Sequence, residues 1–153
     1  MAIKTINGNL LDSNADIICH QTNCKGVMKS GVALAIKNHY PAAYESYRNA
    51  FLQGKLSLGY VDFAVINENT TVANLCGQDD YGYDGKLRTS YDALEKGFIN
   101  IKSYMNEHNL ATIAFPYKIA CCRGGGNWDI VYNMIKTIFS DVNVEIWRLE
   151  NAN

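Results

Sequence analysis

Apolar positions along the chain follow two spacings, one typical of strands and one typical of helices. The segment ADIICH at residues 15–20 is a compact apolar run of the kind found in a buried strand. Residues 60–66 alternate between apolar and polar side chains, and a turn at 67–70 joins them to a second strand as a hairpin. The pattern predicts strands at residues 2–6, 15–20, 60–66, 71–76, 111–116 and 143–149.

The segments between these strands repeat their apolar side chains every three or four residues, which predicts amphipathic helices. The expected helices span residues 31–39, residues 41–53, a segment from Thr89 or Ser90 to about Glu107, and residues 129–139. In the last two helices, the side chains spaced for burial are Leu94, Phe98, Ile101 and Met105, followed by Ile130, Met134, Ile135 and Ile138.

Strands that alternate with amphipathic helices predict an α/β sandwich around a largely parallel or mixed sheet. In such sheets, ligands bind at the carboxyl ends of the strands. No proline-rich, serine-rich or repeated segment divides the chain, so residues 1–153 are expected to form a single domain. A chain of 153 residues with 48% hydrophobic content is large enough to bury a core.

Charge and composition narrow the classes of partner. The formal net charge is −1, whereas proteins held to DNA or RNA by phosphate contacts are normally basic, so no nucleic-acid polymer is expected. No apolar stretch approaches the roughly 18 residues of a membrane helix, and the first residues do not resemble a secretion signal. We therefore expect no membrane partner and a cytoplasmic location. The five cysteines lack zinc-site spacing and are expected to be reduced, with no metal or cofactor.

Two glycine-containing loops follow predicted core strands. The first loop, residues 21–33, leads into a helix and contains Gly26 and Gly31. Glycine lets the backbone approach a bulky ligand, and the free N–H groups at the start of a helix bind anions. Asn23 both donates and accepts hydrogen bonds, which suits a ribose hydroxyl. Taken alone, the first loop is also compatible with an ordinary strand-to-helix turn.

The second loop, residues 119–128, contains Gly124, Gly125 and Gly126 in succession. Three consecutive glycines are costly to order, and a backbone nest around a phosphate would use them. Arg123 adds charge there or lies on the surface. Together the two loops predict ligand binding. Neither loop matches the GxGxxG or Walker pattern, so a nucleotide-binding interpretation requires a different fold.

The chain resembles the macrodomain family over essentially its whole length. The family's landmarks appear in order as GN-L near the start, ADIICHQTNCKGVMKSGVALAIK, ANLCGQDDYG, AFPYKIACCRGGGNW and EIWRL. The chain looks most similar to the small branch that includes terminal ADP-ribose protein glycohydrolases and ADP-ribose 1''-phosphate phosphatases. This resemblance implies a three-layer α/β/α sandwich with a mixed central sheet and ADP-ribose across the strand ends.

The resemblance also implies which residues bind the ligand. Asn9 and Leu10 would lie near adenine; many macrodomains carry an aspartate where Asn9 stands, and asparagine still accepts through its carbonyl. Trp147 matches an aromatic position beside adenine, with core packing as the alternative. The positions implied beside the distal ribose and the phosphates are Gln21, Asn23, Gly26, Val27, Met28, Ser30, Gly31, Val32, Gln78, Ile119, Cys121, Cys122, Arg123, Gly124, Gly125 and Gly126.

Two positions depart from the glycohydrolase pattern. That branch uses a lysine at the end of the central strand, where this chain has Gln78, and an amide cannot form a covalent amine adduct. It also uses an aspartate in the second loop, where Gly124 stands. His20 resembles a histidine of the ADP-ribose 1''-phosphate phosphatases. It would act as a general acid or base, or it is a hydrogen-bonded structural residue.

The polar segment that follows the predicted hairpin, GQDDYGYDGKLR, supplies weaker candidates. Tyr81 and Tyr83 would form a lid, and Asp79, Asp80 or Asp84 would position a water molecule. Of these, Asp79 is the candidate catalytic residue. The segment is equally compatible with a surface excursion.

Three functions remain open at this level. The first is hydrolysis of ADP-ribose 1''-phosphate or a related ADP-ribose derivative. The second is binding of free or protein-linked ADP-ribose without turnover. The third is removal of ADP-ribose from an ADP-ribosylated protein by a mechanism without the family lysine. The expected partners are therefore ADP-ribose, ADP-ribose 1''-phosphate and ADP-ribosylated protein.

Overall fold

A computed structural model describes residues 2–81, 87–121 and 124–149. Its strands are β1 (Ile3–Asn7), β2 (Ile17–Thr22), β3 (Val61–Asn67), β4 (Thr70–Cys76), β5 (Thr112–Pro116) and β6 (Asn143–Arg148). Its α-helices are α1 (Gly31–His39), α2 (Pro41–Leu52), α3 (Tyr91–Glu107) and α4 (Trp128–Ile138). A short 3-10 helix (Leu10–Asp12) follows β1 and was not expected from the sequence.

Within the described residues, the strands form one six-stranded sheet in the order β1-β6-β5-β2-β4-β3. Neighbouring strands are parallel except β3 and β4, which form the predicted antiparallel hairpin. Helices α1 and α2 cover one face of the sheet, and α3 and α4 cover the other. The predicted three-layer α/β/α sandwich with a mixed central sheet is confirmed.

The core on the α3 and α4 side contains the apolar face predicted for α3. Leu94, Phe98, Ile101 and Met105 are fully buried. Phe98, Phe115 and Phe139 contact one another edge to face, with ring centroids 5.4–5.9 Å apart. Aromatic pairs favour this geometry because the positive edge of one ring meets the negative face of another.

One predicted core position in α4 is wrong. Ile130 is 42% exposed, whereas Val131 and Ile135 are fully buried. Successive helical residues are rotated by about 100°, so the stripe that begins at Val131 and continues four residues later faces the sheet. Ile130 lies one position off that stripe and turns towards solvent. Met134 and Ile138 pack partly against the core.

Side-chain caps set where the two C-terminal helices begin. Ser90, not Thr89, caps α3, because its hydroxyl oxygen accepts a hydrogen bond from the backbone N–H of Ala93 at 3.1 Å. Asn127 caps α4 by accepting from the backbone N–H of Asp129 at 2.9 Å. Asn127 therefore fixes the point at which the second loop ends.

The described residues contain no helix that combines the length and the apolar character of a bilayer span.

Candidate functional site

The two loops meet at the carboxyl edge of the sheet because β2 and β5 are adjacent parallel strands. Together they border a cavity of about 230 Å³. Pockets that enclose a whole drug-sized ligand are roughly 300–1,000 Å³. The cavity is therefore suited to one part of a nucleotide-sized molecule, with the remainder lying on the open surface.

The charged side chains that line this cavity are cationic. Lys29 comes from the first loop, and Lys118 immediately precedes the second loop. Among the described lining residues there is no aspartate or glutamate. Although the whole chain carries a formal net charge of −1, the local charge therefore favours an anionic ligand.

Asn23 holds the first loop in shape. Its Oδ1 accepts hydrogen bonds from the backbone N–H of Lys25 at 2.9 Å and from the Tyr47 hydroxyl at 2.8 Å. Its Nδ2 donates to the carbonyl of Val27 at 3.0 Å. Asn23 also lines the cavity, and no acceptor in the described part of the chain takes its second Nδ2 hydrogen. That hydrogen is available to a ligand.

Gly26 and Met28 support the first loop from outside the cavity. Gly26 has a φ of 74°, and a Cβ there would lie 2.7 Å from the ring of Phe51. Met28 is 1% exposed and packs with Tyr47 and two buried cysteines. Both residues shape the backbone that borders the cavity without lining it.

Close packing accounts for two of the three glycines of the second loop. A Cβ at Gly124 would collide with the hydroxyl of Thr89, and the Gly124 carbonyl accepts from the Thr89 backbone N–H at 2.9 Å. A Cβ at Gly126 would lie 2.7 Å from the carbonyl oxygen of Ala120. Gly125 has a φ of 73°, in the left-handed region. Gly124 lines the cavity, and Gly125 and Gly126 do not.

Two non-glycine residues at this edge of the sheet also adopt the left-handed backbone conformation. Lys118 has a φ of 57° and Ala120 a φ of 70°, and both line the cavity. This conformation costs roughly 1–2 kcal/mol per non-glycine residue. Such strain is concentrated at functional sites, where the surrounding structure holds it in place.

A hydrogen-bonded amide network surrounds Gln78, the position at which the resemblance led us to expect the lysine of the glycohydrolase branch. The Nε2 of Gln21 donates to Gln78 Oε1 at 2.8 Å and to Thr89 Oγ1 at 3.1 Å. Gln78 Nε2 in turn donates to the Asp80 carbonyl at 2.7 Å. The network binds the ends of β2 and β4 to the start of α3, and its amides supply no nucleophile.

His20 lines the cavity from the end of β2 and is 1% exposed. Its Nε2 lies 2.6 Å from Asn74 Oδ1. Burial lowers the pKa of His20 to about 4, and the hydrogen bond with Asn74 only partly opposes this shift. His20 is therefore neutral at pH 7 and lacks the second ring proton that an imidazolium would give as a general acid, but its unprotonated ring nitrogen is able to accept a hydrogen bond.

The two acidic candidates in the described part of the chain, Asp79 and Asp80, do not line the cavity. Asp79 is exposed, and its carboxylate lies 3.4 Å from Lys25 Nζ. Asp80 accepts from the Arg88 guanidinium at 2.7 Å. Tyr81 does line the cavity, with Lys29 Nζ 4.3 Å from its ring centroid. Tyr83 and Asp84 lie outside the described residues.

The three residues assigned to adenine are grouped at the ends of β1 and β6. Asn9 Oδ1 accepts from the backbone N–H of Leu11 at 2.9 Å and so caps the 3-10 helix. Leu10 is buried beside Trp147. The Trp147 indole donates to Glu145 at 2.8 Å, and part of the ring stays exposed. None of the three residues lines the cavity, although the Trp147 carbonyl accepts a hydrogen bond from the backbone N–H of the lining residue Tyr117 at 2.7 Å.

The buried cysteines among the described residues carry thiols rather than thiolates. Burial raises the pKa of Cys19, and it raises the pKa of Cys76 to about 12. Since the thiolate is the nucleophile, neither residue is a candidate for covalent catalysis. Cys121 is partly exposed and its Sγ contacts the Ile119 carbonyl, outside the cavity lining.

The predicted site residues divide into three groups. Those that line the cavity are His20, Gln21, Asn23, Val27, Ser30, Gly31, Val32, Gln78, Ile119 and Gly124. Those that the structure places outside its lining are Asn9, Leu10, Gly26, Met28, Asp79, Cys121, Gly125, Gly126 and Trp147. Cys122 and Arg123 lie outside the described residues.

Sequence reasoning missed several residues of the site. The unpredicted lining residues are Thr22, Lys29, Ala33, Pro116, Tyr117, Lys118 and Ala120. Most of them are direct neighbours of predicted positions, so their place in the loops was the available signal. Asn74 was also missed. An amide within the apolar strand TVANLC was a sign of a buried polar partner.

The family model of the Macro domain matches residues 19–135, and the chain belongs to the macrodomain family. A DNA ADP-ribosyl glycohydrolase of Mycobacterium tuberculosis is 26% identical over 89% of the chain, which spans 38% of that protein's length. An ADP-ribose 1''-phosphate phosphatase of Aspergillus oryzae is 38% identical over 39% of the chain and 30% of its own length. The chain thus spans less than half of each curated relative.

Solved structures share the fold over nearly the whole chain. A Bacteroides thetaiotaomicron protein of unknown function has a TM-score of 0.88 and 26% identity, covering 97% of this chain and 99% of its own. A Thermosipho africanus DarTG in complex with ADP-ribose has a TM-score of 0.82 and 18% identity, covering 99% of this chain and 42% of its own.

Proposed function

We propose that this domain binds ADP-ribose across the two loops and hydrolyses a derivative at its distal ribose, with ADP-ribose 1''-phosphate as the substrate. The observation that carries the proposal is the cavity itself, where both loops converge with Lys29 and Lys118 at the ends of adjacent parallel strands. Membership of the macrodomain family and the relatives that act on ADP-ribosyl groups support it.

The start of α1 suits the phosphates of such a ligand. Ser30, Gly31 and Val32 line the cavity, and Ser30 precedes α1 without capping it through its side chain. The first N–H groups of α1 and the Ser30 hydroxyl are therefore available to an anion, which the positive end of the helix dipole also attracts. Lys29 and Lys118 add charge on either side.

His20 serves the hydrolytic step as an acceptor. Water attacks phosphorus, the bond from phosphorus to the 1'' oxygen breaks, and the water's proton passes to that departing oxygen. A neutral His20 accepts a hydrogen bond from the attacking water and orients it. Its low pKa opposes full proton transfer, so positioning is its main contribution.

Two measurements test this proposal. Calorimetry with ADP-ribose should show micromolar binding, and incubation with ADP-ribose 1''-phosphate should release inorganic phosphate. His20→Ala should reduce phosphate release by about 10²-fold, the usual contribution of a positioned acid–base group. His39→Ala, at an exposed histidine at the end of α1, is the matched control and should leave the rate unchanged.

The outcomes separate the hypotheses. Phosphate release that survives His20→Ala contradicts the role of His20. If calorimetry detects no binding of ADP-ribose, the whole proposal is overturned. Binding without phosphate release supports the second candidate, a reader that recognises free or protein-linked ADP-ribose without turnover. The amide network of Gln21 and Gln78 favours that candidate, because it fills the lysine position without a nucleophile.

A further activity, removal of ADP-ribose from modified protein or DNA, needs a mechanism without that lysine. The test is release of free ADP-ribose from an ADP-ribosylated protein and from ADP-ribosylated DNA. Release that is unchanged in Gln78→Ala would show that the reaction does not pass through this position.

A further inference from the structure

A series of hydrogen-bonded polar groups leads from the cavity to α2. His20 Nε2 lies 2.6 Å from Asn74 Oδ1, on the neighbouring strand β4. Asn74 Nδ2 lies 3.1 Å from Asp62 Oδ2 on β3 and 3.1 Å from the carbonyl of Ala43 in α2. The hydroxyl of Ser46 donates to the other oxygen of Asp62 at 3.0 Å. Asn74 itself is fully buried.

These hydrogen bonds fix the orientation of the Asn74 amide. A carboxylate and a backbone carbonyl only accept hydrogen bonds, so Asp62 and Ala43 each require an N–H from Asn74. Both Nδ2 hydrogens are thereby used, and the amide oxygen faces His20. That oxygen also only accepts, so the hydrogen between the two side chains belongs to His20 Nε2.

The second ring nitrogen of His20, Nδ1, is therefore left without a hydrogen. A neutral imidazole with its hydrogen on Nε2 has an unprotonated Nδ1. Nδ1 has no hydrogen-bond partner in the described part of the chain, and its accessible area is below 1 Å², so bulk solvent does not hydrate it. His20 is among the residues that line the cavity, but Nδ1 itself is covered in the free protein, so an O–H group reaches this nitrogen only when ligand binding uncovers it.

We propose that Asn74 is a positioning residue of this site, which holds His20 as the Nε2–H tautomer so that Nδ1 accepts a hydrogen bond from an O–H group in the cavity. The group is the attacking water or a hydroxyl of the distal ribose; an ionised phosphate oxygen has no hydrogen to donate there. The proposal rests on the proposed function for the identity of the ligand, but the tautomer of His20 is independent of it.

Nitrogen NMR of the full chain, labelled with ¹⁵N in its histidines, tests the tautomer directly. Long-range proton–nitrogen spectra should show a protonated Nε2 and an unprotonated Nδ1 for His20. Saturating ADP-ribose should then shift the Nδ1 resonance, whereas ADP, which lacks the distal ribose, should not. The exposed residues His39 and His108 serve as internal references.

A protonated Nδ1 in the free protein would overturn the proposal whether or not ADP-ribose binds. An unmoved Nδ1 resonance at saturating ADP-ribose, with binding verified by calorimetry, would overturn the acceptor role. If calorimetry detects no binding, the proposed function fails, and the tautomer in the free protein still decides whether Asn74 fixes the state of His20.

Two variants separate positioning from a purely structural role. Asn74→Ala should leave His20 as a mixture of tautomers and weaken ADP-ribose binding about tenfold, the effect of one lost hydrogen bond. Asp62→Asn keeps an acceptor oxygen for Asn74 and should preserve both the tautomer and the affinity. If folded Asn74→Ala retains the wild-type tautomer, Asn74 is structural only. If it does not fold, the wild-type spectrum decides the question.

Discussion

His20 shows at the scale of one residue how burial changes the chemistry of a side chain. Its ordinary pKa is 6.5, and burial in the folded protein lowers that pKa to about 4. Between these values the unfolded chain binds a proton that the folded chain does not. The free energy of unfolding therefore rises with pH through this window and falls as the pH drops from 6.5 towards 4.

We predict that His20→Phe reduces this pH dependence. Between pH 7 and pH 4.5 the wild-type protein should lose roughly 2–3 kcal/mol more of its unfolding free energy than the variant. Urea unfolding at several pH values measures the difference, and His39→Phe is the matched control. Parallel pH profiles for wild type and His20→Phe would show that His20 titrates normally in the folded state.

The place of His20 beside the cavity could be predicted from the sequence, but its protonation state could not. The residue that sets that state, Asn74, is 54 positions further along the chain. Only the pairing of β2 with β4 brings the two side chains together. The ring nitrogen available to a ligand is thus a property of strand register, which the local sequence does not contain.

At the scale of elements, helix α3 packs unusually close to β4. Gly97 lies in the middle of this helix, and a Cβ there would lie 2.6 Å from Cγ of the buried Leu75. Glycine normally weakens a helix interior by about 1 kcal/mol relative to alanine. Here its missing side chain lets the helix approach the sheet, so the expected gain from alanine is opposed by overpacking.

We predict that Gly97→Ala destabilises the protein, because overpacking costs roughly 1–3 kcal/mol and exceeds the gain in helix propensity. In a Leu75→Ala background the same change should cost less or become stabilising, since the added methyl group enters vacated space. A double-mutant cycle by urea unfolding measures the coupling. An increase in stability for Gly97→Ala alone would contradict this explanation.

The elements themselves were predictable because their signals are local. The spacing of apolar residues and the capping residues predicted the bounds of the α-helices and strands to within a residue or two. The correct predictions include Ser90 before α3 and the β3–β4 hairpin. Ile130 was assigned to the core wrongly because α4 has apolar residues on adjacent positions. Whether Val131 or Ile130 faces the core depends on the rotation of α4 about its own axis, which is set by the packing of the helix against the sheet.

At the scale of the whole molecule, cationic charge is placed at one cavity of a weakly acidic chain. We predict that Lys29→Gln and Lys118→Gln each weaken ADP-ribose binding about two- to fivefold at low ionic strength, as expected for partly exposed charges. The loss should shrink with added salt, because screening weakens the wild-type interaction as well.

Calorimetry at low and high salt measures this effect, and Lys4→Gln, at an exposed lysine of β1, is the matched control. Equal losses for Lys4→Gln and Lys118→Gln would indicate a general charge effect. A loss that persists unchanged at high salt would indicate that the lysines act through packing or hydrogen bonds.

The sheet order could not be derived from the sequence, although the fold class could. Alternation of strands and helices predicts the layers, but it does not specify that β2 lies between β5 and β4. That adjacency joins the two loops into one cavity. The position of both loops directly after predicted core strands already supplied the expectation that they act together in ligand binding.

The pairing of β1 has a consequence for synthesis of the protein. Among the described strands, β1 pairs only with β6, and Ile3 lies opposite Val144. β1 therefore has no sheet partner until β6 has left the ribosome. β5, which leads into the second loop, also has β6 as a neighbour. Before β6 has left the ribosome, β5 lacks this neighbour, so we expect the second loop to be supported, and ligand capture by both loops to be possible, only after β6 is released.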